Sequence, residues 1–113
     1  MRLTRAEFED VVREALDDVP EPFAAALLEV AVVVEDEAFD DPDIYGLYLG
    51  VPLTEPEARH GHPPPRIAVY MRPLAADFPD RRDLVEEIRI TVLHEIGHHL
   101  GIDEDRLDQL GYG

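Results

Sequence analysis

The chain has 113 residues, enough for one domain of ordinary size. Its 26 acidic and 10 basic side chains leave a formal charge of −16, a surface that repels phosphate backbones and anionic headgroups, so no nucleic acid and no membrane is expected among its partners. It contains no Cys, Ser, Lys, Asn or Trp, and every basic residue is Arg. That excludes disulfides, thiolate metal sites, Ser and Cys nucleophiles, lysine Schiff bases and the P-loop lysine.

Thr4 and Glu7 form a Thr-x-x-Glu capping box, and Phe8, Val11, Val12, Ala15, Leu16 and Val19 follow at helical spacing. Pro20 and Pro22 end that helix, and Phe23–Leu28 suits a short second one. The β-branched run Val30–Val34 reads as a buried strand, and Tyr45–Leu49 as another after an acidic loop over 35–43. The 54–65 stretch, ending in three prolines, reads as a loop. Arg66–Arg72 alternates as a third strand, which at a sheet edge would pair with an extended peptide. Asp80 caps a long helix over Arg81–Leu100 that Gly101 ends, and Asp103–Leu110 allows one more short helix. No stretch reaches the ~20 apolar residues of a membrane span, and the amphipathic first segment is unlike a leader; a cytoplasmic protein is expected.

The stretch that carries chemistry is His94-Glu95-Ile96-Gly97-His98-His99-Leu100-Gly101, which contains H-E-x-x-H. With 5 His in the chain, chance would supply about 0.02 such matches. On a helix, residues four apart stack about 40° apart around the axis, so the His94 and His98 imidazoles can share one tetrahedral cation. Glu95, turned about 100° from His94, is poorly placed as a ligand but well placed to act on a water held by that ion.

Leu84, Val85, Ile88, Val92, Leu93, Ile96 and Leu100 fall on one arc of the helical wheel, and His94 and His98 lie off it. His99 falls inside the arc and reads as a packed, hydrogen-bonded residue. Gly97 suits a close approach of backbone to the helix. A catalytic zinc needs a third protein ligand. Gly101 lets the chain turn back, and Glu104 is the first choice, with Asp105 and then Asp103 as alternatives. His60 and His62 in the Pro-rich loop, Glu87 and Thr91 on the metal face of the helix, and Tyr112 and Arg106 as oxyanion donors are weaker candidates.

These residues resemble the zincins, the H-E-x-x-H metallopeptidases. His94 to Glu104 has the form H-E-x-x-H-x-x-G-x-x-E, similar to the extended signature of the metzincin branch, where the last position is His or Asp. The methionine turn of that branch has no counterpart, since the only methionines are Met1 and Met71. Tyr45–Thr54, Arg66–Pro73 and Thr91–Leu107 are similar to a family of small bacterial metallopeptidases with a minimal zincin-like domain. The resemblance implies a zinc-binding α+β fold, with His94 and His98 as ligands and Glu95 as the catalytic carboxylate. The expectation is therefore one α+β domain over residues 1–113: a small three-stranded sheet, an N-terminal helix and a long active-site helix. Its function would be peptide hydrolysis with Zn²⁺ held by His94, His98 and Glu104. The substrate would be a peptide or protein, favoured when basic by the chain's charge. The alternative is a zinc-binding interaction module without hydrolytic activity.

Overall fold

A computed structural model describes residues 3–55 and 61–113. The Thr4 side chain accepts from the Glu7 N–H while the Glu7 carboxylate accepts from the Thr4 N–H, and this reciprocal cap starts α1 (Arg5–Ala15). The helix stops short of Val19, and Asp18 turns the chain with a left-handed φ of 59°. Helix α2 (Phe23–Ala26) leads into β1 (Ala31–Glu35), and β2 (Gly46–Leu49) and β3 (Arg66–Tyr70) complete the sheet. Helix α3 (Met71–Asp77) precedes the long α4 (Arg81–Leu100) and the short α5 (Glu104–Leu110).

The strand order is β1-β3-β2, with β1 parallel and β2 antiparallel to β3. Val33 lies opposite Ala68, and Tyr48 opposite Ile67. The three-stranded sheet, the N-terminal helix and the long helix agree with the α+β arrangement read from the sequence. Two details differ. The third strand ends at Tyr70 and its continuation is helical, because Pro73 falls on the third helical residue, where the missing N–H has no partner to lose. In addition, β3 is the middle strand, hydrogen-bonded on both sides, so it cannot receive a peptide; the edge beside α4 belongs to β2.

The site is built on α4. The Asp80 carboxylate accepts from the Arg82 and Asp83 N–H groups, a cap worth about 1 kcal/mol. Leu84, Ile88, Val92, Leu93 and Ile96 are fully buried, against Phe8, Val11 and Val12 of α1 and Val34, Ile67 and Val69 of the sheet. Each such side chain contributes about 1.5–3 kcal/mol on burial, which holds α4 rigidly along the sheet. The opposite sheet face, with Val33, Ala68 and Tyr70, is covered by Ala38 and Ile44 from the β1–β2 connection.

Candidate metal centre

His94 and His98 lie one turn apart on the uncovered face of α4, with ring centroids 5.0 Å apart. His94 Nδ1 sits 2.7 Å from the Tyr112 carbonyl oxygen. A carbonyl only accepts, so Nδ1 carries the proton and Nε2 keeps its lone pair for a ligand. His98 Nε2 lies 2.8 Å from Glu104 Oε1, and His94 Nε2 lies 3.3 Å from Glu104 Oε2. Ligand atoms of these three residues all fall within 4.8 Å of one another. In a tetrahedral site with bonds of ~2.0–2.1 Å, ligand atoms are about 3.4 Å apart; both contacts to Glu104 are already that short, so the three side chains could close on a zinc-sized cation. The hydrogen bond from His98 holds the Glu104 carboxyl below the usual carboxylate range, so Glu104 is ready as an anionic donor.

The local sequence explains why Glu104, and not its neighbours, arrives here. Gly101 takes a left-handed φ of 76° that ends α4, and the Ile102 N–H returns to the Gly97 carbonyl at 2.8 Å. Asp103 is occupied as the cap of α5, its carboxylate accepting from the Arg106 N–H. Asp105 is exposed. Leu107, one turn beyond Glu104 on α5, is fully buried against Gly97. A Cβ at Gly97 would lie 2.5 Å from Leu107 Cδ2. The close approach at Gly97 is thus a side chain of α5, not passing backbone, and it seats the helix that carries Glu104.

Gly97→Ala is accordingly expected to destabilise the fold. The helix would gain up to ~1 kcal/mol in propensity, but overpacking a fully buried contact costs about 1–3 kcal/mol. Thermal melts should show a lower Tm, and zinc titration should show weaker binding as α5 shifts. A variant with higher Tm and unchanged zinc affinity would show that Leu107 does not seat α5.

Glu95 stands beside this group but faces differently. Its side chain is largely buried, and Oε1 accepts from the Tyr48 N–H at 2.8 Å. Oε1 is 3.5 Å from His98 Nδ1, and Oε2 is 4.0 Å from His94 Nε2. The bond from the Tyr70 N–H to the Tyr45 carbonyl sets the alternation of the β2–β3 pair, so Gly46 and Tyr48 direct their N–H and C=O groups away from β3. The strand can lie this close to α4 because position 46 has no side chain: a Cβ there would be 2.7 Å from Thr91 Cγ2.

A family model for zincin-like metallopeptidases matches residues 27–113, which include the whole of this site. The chain belongs to the zincin-like metallopeptidase family. A comparison with curated proteins found no match. Among the described residues, no helix is long and apolar enough to cross a membrane.

Around the zincin-like centre, other sequence candidates take different places. His99 is fully buried, its Nδ1 2.8 Å from the Tyr48 hydroxyl and its Nε2 3.3 Å from Glu29 Oε2, so it packs and hydrogen-bonds within the fold. Glu87 and Thr91 line a cleft of about 320 Å³ that also includes Tyr45, Gly46, His94 and Glu95. His62 lines a separate cleft with Val51 and the Pro63–Pro65 run and is not part of the donor group, and His60 lies outside the described residues. Arg106 donates to Gln109 Oε1 at 3.2 Å on its own helix rather than into the cleft. Tyr112 serves through its backbone carbonyl, and its ring packs edge-on against Phe23 at 5.3 Å.

Tyr48 is the residue the sequence reading missed. Its N–H holds Glu95 and its hydroxyl holds His99, so one residue of β2 grips α4 at two points a turn apart. Removing the hydroxyl in Tyr48→Phe leaves a buried imidazole nitrogen without its partner, at a cost of about 1–3 kcal/mol. A melting curve should record that loss. Zinc affinity should stay near wild type, because the hydroxyl that is removed bonds the Val51 carbonyl and His99, and neither belongs to the donor group. An unchanged Tm would show that the grip is unimportant.

Proposed function

We propose that this protein is a zinc-dependent peptidase in which His94, His98 and Glu104 hold the metal and Glu95 is the general base. The observation that carries this is the division of labour among four side chains. Three offer donor atoms within 4.8 Å of each other, while the fourth, Glu95, is bound by a backbone N–H at the rim of the same group. Zinc held there would supply a Lewis acid that polarises a carbonyl and acidifies a water. Tyr48 fixes Glu95 Oε1 and leaves Oε2, on the His94 side, to take the water proton and return it to the leaving amine. The Tyr112 carbonyl keeps the His94 ring in the tautomer that presents Nε2. A peptide substrate would lie along the outer edge of β2, where Gly46 turns its backbone groups away from the sheet.

The second reading is a zinc-binding interaction module. The size of the cleft, about 320 Å³ and so near the low end for binding sites, favours it. Incubation of the zinc-loaded protein with a mixed peptide library, with and without chelator, separates the two. Chelator-sensitive cleavage supports the peptidase; peptide binding without any cleavage supports the module.

A further inference from the structure

The cleft runs along α4 from Glu95 and His94 past Thr91 to Glu87, with Tyr45 and Gly46 on the opposite side. Nothing in the chemistry proposed above uses its far end. Glu87 is partly buried there, and among the described residues no arginine lines the cleft and no ion pair engages Glu87. Burial, helped by the neighbouring Glu86, pushes the Glu87 carboxyl up, as happens to a carboxylate losing solvent with no cation beside it. Tyr45 adds an aromatic wall. Its ring is braced edge-on by Phe78 at 5.6 Å, and its hydroxyl is tied to Asp77 Oδ2 at 2.5 Å. That bond, with burial and the charges of Asp77, Glu87 and Asp43, pushes the phenol up to about 12, so the ring stays neutral. A carboxylate facing a neutral aromatic ring in a partly desolvated cleft matches the chemistry of an alkyl chain ending in a cation.

We propose that this end of the cleft is a subsite for a cationic side chain, selecting peptides with Arg or Lys within three residues of the bond that is cut. The proposal rests on the peptidase reading above. The spacing agrees with it: seven helical residues separate Glu87 from His94, about 10 Å of axial rise, and three residues of extended peptide span the same length.

The experiment uses the zinc-loaded full chain, peptides with a single Arg, and matched peptides with Gln in its place. Wild type should cleave the Arg peptides with kcat/KM about tenfold higher. Glu87→Gln should bring that ratio close to one. Glu86→Gln removes the same charge from the neighbouring exposed position, outside the cleft, and should leave the ratio as in wild type, which separates local recognition from the attraction of the net charge. Cleavage without an Arg preference, or a preference that survives Glu87→Gln, overturns the subsite. A ratio lowered equally by both variants overturns it too. If no peptide is cleaved, the peptidase reading falls, and anisotropy of labelled peptides decides the subsite alone. Arg-peptide binding that weakens in Glu87→Gln but not in Glu86→Gln upholds it, and equal binding of the two peptides refutes it.

Discussion

Glu95→Gln is expected to reduce peptide cleavage by about 10²- to 10⁴-fold, the range that one well-placed general base supplies. The amide has nearly the shape of the carboxylate, and its carbonyl oxygen can still accept from the Tyr48 N–H that now holds Oε1 at 2.8 Å. Packing of the largely buried side chain is therefore kept, and the fold should melt close to wild type. The change removes basicity, because a neutral amide cannot take a proton from water at neutral pH. Zinc binding should persist, since Glu95 lies outside the group formed by His94, His98 and Glu104. Parallel measurement of turnover and zinc affinity distinguishes a lost base from a lost metal. Cleavage at the wild-type rate in this variant would remove Glu95 from the chemistry.

Zinc should stabilise the wild-type fold strongly, and His98→Ala and Glu104→Ala should abolish that effect. A ligand that binds only the folded state at a hundred times its Kd adds about 2.7 kcal/mol. In a domain of this size that raises Tm by roughly 10 °C. The gain should vanish with chelator. Glu104 is 64% exposed and, among the described residues, its carboxylate pairs only with the two imidazoles, so Glu104→Ala without metal should melt close to wild type without metal. Its whole effect should appear as lost response to zinc. A variant that gains as much Tm from zinc as wild type does would place the cation elsewhere, among the many other carboxylates of this acidic chain.

The elements that carry the site were legible because their signals are local. The reciprocal cap of Thr4 and Glu7, the Asp80 cap and the left-handed Gly101 mark helix ends within a few residues, and α4 runs between the positions they set. The placing of His99 inside the apolar arc, with His94 and His98 outside it, followed from helical period alone and agrees with its full burial. Non-local pairing left no such mark. Nothing in the composition of Arg66–Tyr70 says that it is the middle strand, and the alternation that continued to Arg72 concealed the start of α3 at Met71. The groups that aim the site were also hidden, because two of them are backbone: the Tyr48 N–H on Glu95 and the Tyr112 carbonyl on His94. Residue type does not report where a main-chain group points. Gly97 was conspicuous in the sequence, but its reason, the Leu107 side chain, came only with the packing of α5.

The most direct test of the metal centre is X-ray absorption at the zinc edge on the protein loaded with one equivalent of the ion. Two imidazoles and a carboxylate should give a shell of four nitrogen and oxygen neighbours near 2.0–2.1 Å, with the outer-shell scattering of two imidazole rings. The same spectrum from Glu104→Ala should lose a protein oxygen and keep both rings. A six-oxygen shell without imidazole scattering in the wild-type protein would contradict a cation held between His94 and His98.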